Sequence, residues 1–334
     1  MLKVSVCIIT YNHEKYIEQA IEGALMQKTS FPFEIVIGED YSTDGTRKIV
    51  FKYAQKYPDI IKVFTSKENV GAIQNFVRTL NACQGKYIAF CEGDDYWTDP
   101  YKLQKQVDFL EGNPDYGLIH TKYDVLIDKT GERILNKHTR QADHVPQGDV
   151  YEQLLYANFI ATCTVCLRRE LFEKYVDFEF VIKQNVMQGD YFIWLEIAQY
   201  SKVAYINDST TTYRVLEESM SNSKDPQKRY DFFLSVWKIQ QYFLQKYYCS
   251  EQMQKLTWQR MNRIKLSHAF RLKRKQDATQ AFDHLSSMGM SIFHDRLYYY
   301  GTRNPIIWKG ISALIKIASL FHVGRLKLKF PKIM

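Results

Sequence analysis

Three carboxylates stand within four residues of one another, at Glu92, Asp94 and Asp95, directly after a run of apolar residues. Like charges this close repel one another, and the end of a buried strand gives them little room to spread. A divalent cation removes that penalty, because carboxylate oxygens are the ligands that Mg²⁺ and Mn²⁺ prefer. The spacing therefore predicts a Mn²⁺ or Mg²⁺ site; the alternative is a solvated acidic turn.

Polar residues also follow two earlier strand-like runs. Tyr11, Asn12 and His13 come after residues 4–10, and their position favours ligand contact, although Asn or His there could equally cap the next helix. Asp40 follows residues 33–38, where a carboxylate at a strand end needs a partner, and it is the better candidate for a base or ribose contact. Asp44 has the spacing of a turn or capping residue.

The first hundred residues alternate between strand and helix periodicity. Alternation of this kind predicts βαβ units, a parallel sheet and right-handed crossovers. In such sheets ligands bind beyond the carboxyl ends of the strands, where the polar residues above stand. The predicted strands are 4–10, 33–38, 63–64 and 86–91, and the predicted helices are 14–27, 46–57 and 73–83.

Beyond residue 115 the periodicity is less regular. A strand at 118–127 is followed by a turn at 128–131 that leads back along a hairpin. From residue 230 to about 288 the chain is predicted to be helical almost throughout. The remaining predictions are helices at 149–157, 190–200 and 306–321 and strands at 162–168 and 203–206.

Five segments together resemble glycosyltransferase family 2. Four of them stand in the family's order and spacing: VSVCIITYN at 4–12, DYSTDGT at 40–46, NVG at 69–71 and EGDDYW at 92–97. The fifth, QGDYFIWL at 188–195, resembles the family's helix with an acidic residue, and residues 205–214 resemble the strand and loop that follow it. The resemblance covers residues 1 to about 220.

The family has the GT-A fold, so the resemblance implies an α/β chain with a Rossmann-like, mostly parallel sheet flanked by helices. A helical C-terminal extension follows, as the periodicity indicates. We predict a catalytic domain at 1–225, with a nucleotide-sugar half at 1–115 and an acceptor half at 116–225. Residues 226–334 would form a basic helical region.

The resemblance also implies roles for individual residues. Asp40 would contact the nucleobase, with Tyr11 against it; Asp95 would lie nearest the diphosphate and Asp190 would be the catalytic base. Glu92 stands where the family commonly has Asp. The charge is the same, but the Glu side chain is one methylene longer. The implied donor-binding residues are Thr10, Tyr11, Asn12, Glu39, Asp40, Asn69, Gly71 and Asp94, and the implied metal ligands are Asp95, Asp94 and Glu92.

These roles imply an inverting glycosyltransferase. A sugar would pass from a UDP-sugar to an acceptor hydroxyl, in surface polysaccharide or lipid-linked glycan synthesis. A single base and a direct displacement invert the anomeric centre. For Asp190 alone, capping of its helix is the alternative. For the whole chain, the alternative is a catalytically inactive GT-A-like protein that binds sugar or nucleotide.

The positive charge is concentrated near the C-terminus. The chain has a net charge of +8, while residues 252–334 carry 16 Lys and Arg against three acids. Helix 306–321 bears one polar stripe, formed by Lys309, Ser312, Lys316 and Ser319, and four basic residues follow between 325 and 332. Such a helix can lie in an anionic membrane interface, or it can pack its apolar face on the catalytic domain.

No run of about 18 apolar residues is present, and residues 1–9 are typical of a strand rather than a signal peptide. We therefore expect a cytoplasmic protein, peripheral on the inner face of the cell membrane. The basic residues accompany no nucleic-acid-binding motif, so no nucleic acid partner is expected. The six cysteines include one CxxC at 163–166 without a second pair, and buried free thiols are the better interpretation than a zinc site.

Overall fold

The computed structural model describes residues 2–135, 145–219 and 222–321, with side chains as far as residue 313. Strands form where apolar and β-branched residues are continuous, because a strand covered on both faces buries successive side chains. The strands are Val4–Thr10 (β1), Phe33–Glu39 (β2), Ile61–Thr65 (β3), Tyr87–Glu92 (β4), Tyr96–Trp97 (β5), Tyr116–Ile127 (β6), Glu132–Ile134 (β7), Cys166–Arg168 (β8) and Lys202–Val215 (β9).

Helices cover the sheet with their apolar faces. In the first helix, within the predicted range 14–27, Ile17, Ala20, Ile21 and Ala24 are buried at helical spacing. The helices are Ile17–Leu25 (α1), Thr46–Lys56 (α2), Ala72–Asn81 (α3), Lys102–Gly112 (α4), Tyr151–Tyr156 (α5), Arg169–Tyr175 (α6), Glu179–Lys183 (α7), Gly189–Tyr200 (α8), Pro226–Lys246 (α9), Glu251–Leu272 (α10), Lys275–Ser287 (α11), Phe293–Arg303 (α12) and Pro305–Phe321 (α13).

The sheet has the strand order β3-β2-β1-β4-β8-β6-β9-β5, with β7 paired to β6. Strands β3, β2, β1 and β4 run parallel, which confirms the predicted βαβ half. Thr10 pairs with Glu39, and Ile9 pairs with Glu92, so the carboxyl ends of β1, β2 and β4 lie side by side. This register brings the polar segments after these strands to one edge of the sheet.

The second half of the sheet is mixed. Strand β8 is antiparallel to both β4 and β6, β6 is parallel to β9, and β5 is antiparallel to β9. The α/β class with helices flanking a Rossmann-like sheet is confirmed. Parallel pairing joins strands β1 through β4, and it also joins β6 to β9.

Strand β9 extends well beyond the predicted strand at 203–206. Its central residues Thr210, Thr211 and Thr212 are buried although they are polar. Thr210 shares a 2.7 Å hydrogen bond with Thr121, and the Thr211 hydroxyl donates to the Tyr96 carbonyl at 3.0 Å. The hydroxyls of Thr210 and Thr211 are therefore satisfied inside the sheet. A run of buried threonines lacks the apolar alternation by which strands are recognised.

The predicted strand at 162–168 begins differently. Residues Thr162–Thr164 form a 3₁₀ turn, and only Cys166–Arg168 is a strand. The Thr164 hydroxyl donates to the Ala161 carbonyl at 2.6 Å, which competes with extended pairing.

The chain divides into two compact units, Met1–Leu216 and Glu217–Met334. In the second unit, the predicted helical stretch at 230–288 consists of α9, α10 and α11. Asp225 caps α9 by accepting from the Gln227 N–H at 2.8 Å, and Ser250 caps α10. The predicted boundary between residues 225 and 226 lies at the start of α9, whereas the two units divide between residues 216 and 217.

Candidate active site

The loops after β1 and β2 are joined through Asn12. Asn12 has left-handed backbone angles (φ 55°), which Asn adopts more readily than most residues. Its N–H donates to Ser42 Oγ at 3.0 Å, and its side-chain Oδ1 accepts from the Thr43 N–H at 2.8 Å. Asp44 accepts from the Thr46 N–H at 3.0 Å, as a turn residue does. The Asn12 side chain thus supports the edge of the sheet on which the other predicted donor-binding residues lie.

Asp40 connects three loops at this edge. Its N–H donates to the Thr10 carbonyl at 3.1 Å, and its own carbonyl accepts from Asn69 Nδ2 at 3.0 Å. Its buried carboxylate accepts from the N–H groups of Val70 at 2.9 Å and Gly71 at 3.0 Å. Gly71 has φ 88°, which glycine alone adopts without strain. Four predicted donor-binding residues, Thr10, Asp40, Asn69 and Gly71, are thereby brought together.

Glu39 is buried and its carboxylate is used within the protein. It accepts from the Ser42 N–H at 2.6 Å and from the Thr65 hydroxyl at 3.0 Å. Arg78 lies beside it: its guanidinium donates to the Glu39 carbonyl at 3.0 Å and lies 3.6 Å from the Asp40 carboxylate. The Glu39 carboxylate therefore has a structural role that competes with its predicted role in donor binding. The sequence did not predict that Arg78 lies beside these two acids.

We expect Asp40→Asn to lower the free energy of unfolding by about 1–3 kcal/mol, the range for a buried hydrogen-bonding group that loses its partner. The amide nitrogen would face the N–H of either Val70 or Gly71 in place of an acceptor. Urea unfolding measures the change as a lower midpoint at constant m-value. The control is Asp59→Asn at an exposed position. Equal midpoints for the two variants would contradict the connecting role of Asp40.

Arg214 on β9 holds the acidic loop after β4. Its backbone N–H donates to Asp95 Oδ1 at 2.7 Å, and its Nε donates to the Asp94 carbonyl at 2.8 Å. The guanidinium lies 4.7 Å from the Tyr16 ring centre and 5.4 Å from that of Tyr96. Since Arg214 is itself buried, it brings a fixed positive charge to the carboxylates.

The acidic loop itself has the donor set of a metal site. Glu92, Asp95 and Cys163 each place one ligand atom within 4.8 Å of the others. Burial, reinforced by neighbouring carboxylates, raises the pKa values of Glu92 and Asp95 well above their ordinary range. Glu92 Oε2 is buried and lacks a hydrogen-bond partner among the described residues. The two carboxylates fit a hard divalent cation such as Mn²⁺ or Mg²⁺, whereas the Cys163 thiol is a soft ligand that these ions do not favour. The predicted ligand Asp94 is not part of this group of three.

Asp190 lies in the first turn of α8, next to this loop. Its Oδ2 accepts from the Thr162 hydroxyl at 2.6 Å. Burial raises the pKa of Asp190, while hydrogen bonds from Thr162 and from the Tyr191 N–H oppose the shift. The charge of Asp190 in turn helps to raise the pKa of Glu92. The N-cap of α8 is Gln188, so Asp190 is not the capping residue of the alternative. It contacts N–H groups of its own first turn and also joins the carboxylate cluster.

Two predicted ligand contacts are accessible. The Tyr11 side chain is 42% exposed, so its ring is available to a planar base. The half-buried Asp94 carboxylate accepts no hydrogen bond from the part of the chain that the structure describes, whereas Asp95 does. These two residues are free to meet a ligand without breaking an internal contact.

The sequence did not predict that the site includes Thr162, Cys163 or the hydrogen bonds of Arg214. The first two lie in a segment that was predicted to be a strand, about 70 residues from Glu92 in sequence. Strand β8 pairs with β4, and the Phe90 N–H donates to the Val165 carbonyl at 3.1 Å. Only this pairing brings the turn to the acidic loop, so no local pattern could have revealed it.

This sheet, with acidic groups at the carboxyl ends of its strands, has the arrangement expected of the GT-A fold. The sequence matches the model of the glycosyl transferase family 2 over residues 5–176, more than half of the chain. The chain therefore belongs to glycosyltransferase family 2, and the resemblance drawn from the five segments is confirmed.

Two relatives illustrate the match. The chain is 35% identical over 215 residues to the uncharacterized protein Rv1520 of Mycobacterium tuberculosis, covering 63% of this chain and 58% of the relative. It thus spans less than two thirds of that relative's length. It is 29% identical over 223 residues to the Escherichia coli UDP-Glc:alpha-D-GlcNAc-diphosphoundecaprenol beta-1,3-glucosyltransferase WfgD, covering 66% of this chain and 80% of WfgD.

Solved structures share the fold at low sequence identity. TarS residues 1–349 of Staphylococcus aureus, in complex with UDP, superimposes with a TM-score of 0.59 at 17% identity and covers 97% of this chain and 93% of its own. The mannosyltransferase PcManGT of Pyrobaculum calidifontis, in complex with GDP-Man and Mn²⁺, gives a TM-score of 0.56 at 15% identity, with coverage of 92% and 86%. These likenesses establish the GT-A fold.

Proposed function

We propose that this protein is an inverting glycosyltransferase that moves a sugar from a UDP-sugar to an acceptor hydroxyl in surface polysaccharide or lipid-linked glycan synthesis. The observation that carries the proposal is the half-buried Asp190 carboxylate beside the acidic loop of Glu92, Asp94 and Asp95. A UDP-sugar and a lipid-linked acceptor are supported by the name of WfgD, and UDP by the TarS complex.

Asp190 is the proposed general base. An acceptor hydroxyl is a poor nucleophile, and a carboxylate within reach accepts its proton as the hydroxyl attacks the anomeric carbon. Burial raises the pKa of Asp190 towards the range in which a base works at neutral pH. Thr162 holds one carboxylate oxygen in place. A single base and one displacement invert the anomeric configuration, so an α-linked donor would give a β-linked product.

Asp95 and Asp94, with Glu92, are the residues that would hold Mn²⁺ or Mg²⁺. When bound, the cation would offset the charge that develops on the leaving nucleoside diphosphate. Asp40, Asn69, Gly71 and Tyr11 would bind the nucleoside, and Asn12 would hold its loop. The Mn²⁺ in the PcManGT complex supports a divalent cation but does not decide which one.

The test is a donor panel. Release of nucleoside diphosphate is measured with UDP-, GDP- and dTDP-sugars, with Mn²⁺, with Mg²⁺ or with chelator, and with a diphosphate-lipid-linked sugar as acceptor. We expect metal-stimulated transfer from a UDP-sugar, and NMR of the product should show an inverted anomeric centre. A product with retained configuration would contradict the role of Asp190, and exclusive use of GDP-sugars would contradict the proposed donor.

We also propose that the protein works at the cytoplasmic face of a membrane, held by its basic C-terminal region. Within the described helices, α13 packs one face on the helical unit: the Trp308 indole N–H donates to the Phe270 carbonyl at 2.9 Å, and Ile311 joins the same cluster. Other apolar side chains stay in solvent, with Phe293 75% and Ile306 81% exposed. The basic cluster at 325–332 lies outside the described residues.

Among the described residues, no helix has the length and hydropathy needed to cross a bilayer. Attachment would therefore depend on apolar side chains that enter the interface and on Lys and Arg beside anionic headgroups. Each such basic residue contributes about 1 kcal/mol near an anionic surface.

We expect the double variant Phe293→Ser, Ile306→Ser to bind vesicles containing phosphatidylglycerol about tenfold or more weakly than wild type, because two side chains no longer enter the apolar interface. Co-sedimentation at low and high salt separates this loss from the salt-sensitive contribution of the basic residues. Point variants are preferred to truncation at residue 304, which would remove the packed Trp308. The control is Phe51→Ser, an exposed apolar position of the first unit. Equal binding by both variants and wild type would refute the anchor.

A further inference from the structure

The 3₁₀ turn Thr162–Thr164 contacts three carboxylates of the candidate site with two consecutive side chains. The Thr162 hydroxyl donates to Asp190 at 2.6 Å, and its proximity to Glu92 opposes the rise in the pKa of that carboxyl. The Cys163 thiol is within hydrogen-bonding reach of Asp95, and burial keeps it protonated by raising its pKa. The position of this turn therefore fixes how the carboxylates are oriented relative to one another.

The backbone carbonyls of the turn accept hydrogen bonds from two further side chains. The Trp97 indole N–H donates to the Cys163 carbonyl at 3.0 Å, and Gln106 Nε2 donates to the Thr164 carbonyl at 2.8 Å. Two successive carbonyls thus have side-chain donors from β5 and α4. These donors are fixed in turn by one residue of α4.

That residue is Lys102, which is fully buried. Its Nζ donates to Gln106 Oε1 at 2.6 Å and lies 4.5 Å from the ring centre of Trp97. An ammonium group only donates, so it takes the oxygen of the Gln106 amide and directs the nitrogen towards Thr164. Lys102 therefore determines the orientation of one donor and packs against the other.

Burying an ammonium group at this position costs desolvation free energy. No carboxylate hydrogen-bonds to Lys102 among the described residues, and burial lowers its pKa to about 8. A methionine of similar size would avoid the cost of desolvation. Lys102 fixes the orientation of the Gln106 amide, and an apolar side chain could not do so because it has no donor.

We propose that Lys102 and Thr162 are positioning residues for the transfer reaction. Lys102 holds the turn through Gln106 and Trp97, and Thr162 holds Asp190 in the orientation that receives the acceptor proton. This inference rests on the proposed function, because it assigns to Thr162 the orientation of the proposed base.

The deciding comparison is Thr162→Val against Thr162→Ser in the full chain. Val keeps the shape and removes the hydroxyl, whereas Ser keeps the hydroxyl. We expect Val to lower kcat about tenfold or more, with the donor KM and the rise in Tm on adding Mn²⁺ unchanged, and Ser to retain most of the wild-type kcat. Equal kcat for Val and Ser would overturn the inference, as would a loss in Val confined to the donor KM.

Lys102→Met tests the support of the turn, with Lys105→Met as control on the same helix, where the lysine is partly exposed. We expect Lys102→Met to lower kcat while the donor KM stays unchanged, and Lys105→Met to alter neither. Equal kcat for the two would overturn the role of Lys102; if Lys102→Met does not fold, the Thr162 pair decides alone. Absence of transfer by wild type would overturn the proposed function and this inference with it, whereas an active wild type with equal variants overturns only the inference.

Discussion

Asp190→Asn is expected to lower kcat by about 10² or more, the usual cost of losing a general base. The amide cannot take the acceptor proton, yet it has the shape of the carboxylate and keeps an oxygen that can accept from Thr162. Donor affinity should therefore stay within about twofold, because most of the proposed donor-binding residues lie at the ends of β1, β2 and β3 or in the loops that follow them. Initial rates over a range of donor concentrations separate the two quantities.

The control for this variant is Asp177→Asn. Asp177 accepts from the Glu179 N–H at 2.9 Å at the start of α7, so it contacts the start of a helix but is not part of the carboxylate cluster. If Asp190 acts only as a cap, both variants should lose similar stability and similar activity. Collapse of donor binding in Asp190→Asn would identify it as a donor contact, and the reaction would need another base.

Asp95→Asn is expected to abolish metal-stimulated transfer and the rise in Tm that Mn²⁺ produces. The variant removes charge from the centre of the carboxylate cluster, while its amide oxygen can still accept from the Arg214 N–H. A cation that binds only the folded protein stabilises it according to its concentration relative to Kd, so loss of the shift reports loss of binding. Thermal unfolding and transfer rates at chelator-buffered Mn²⁺ provide the two measurements.

Without metal, the same variant should unfold at an equal or higher temperature than wild type. The folded-state pKa of Asp95 is raised, mainly by burial and by the neighbouring Asp94 charge, so ionisation at neutral pH costs stability that Asn does not incur. The control is Asp115→Asn, an exposed carboxylate of the same unit. Undiminished activity and an undiminished Mn²⁺ shift in Asp95→Asn would refute the metal assignment.

The sequence by itself determined the βαβ half and the positions of its acidic residues. Asp40 and the segment from Glu92 to Asp95 were recognisable because a strand buried on both faces is apolar throughout, so the first polar residues after it mark its end. Hydrophobic periodicity depends only on residues that are close in sequence, so it can be read without knowing how the rest of the chain packs. Asp190 was recognisable only through the family resemblance, since a carboxylate in a first helical turn is common.

Only the tertiary structure decided what those acids contact. Strand β8 inserts antiparallel between β4 and β6, which brings Thr162 to Asp190 across 28 residues, and β9 brings Arg214 to Asp95 across 119. Lysine side chains usually lie in solvent, but Lys102 is buried. Its ammonium group hydrogen-bonds to Gln106 and lies over the ring of Trp97. Contacts between distant residues depend on sheet order and register, which follow from the packing of the whole unit and leave no local signal in the sequence.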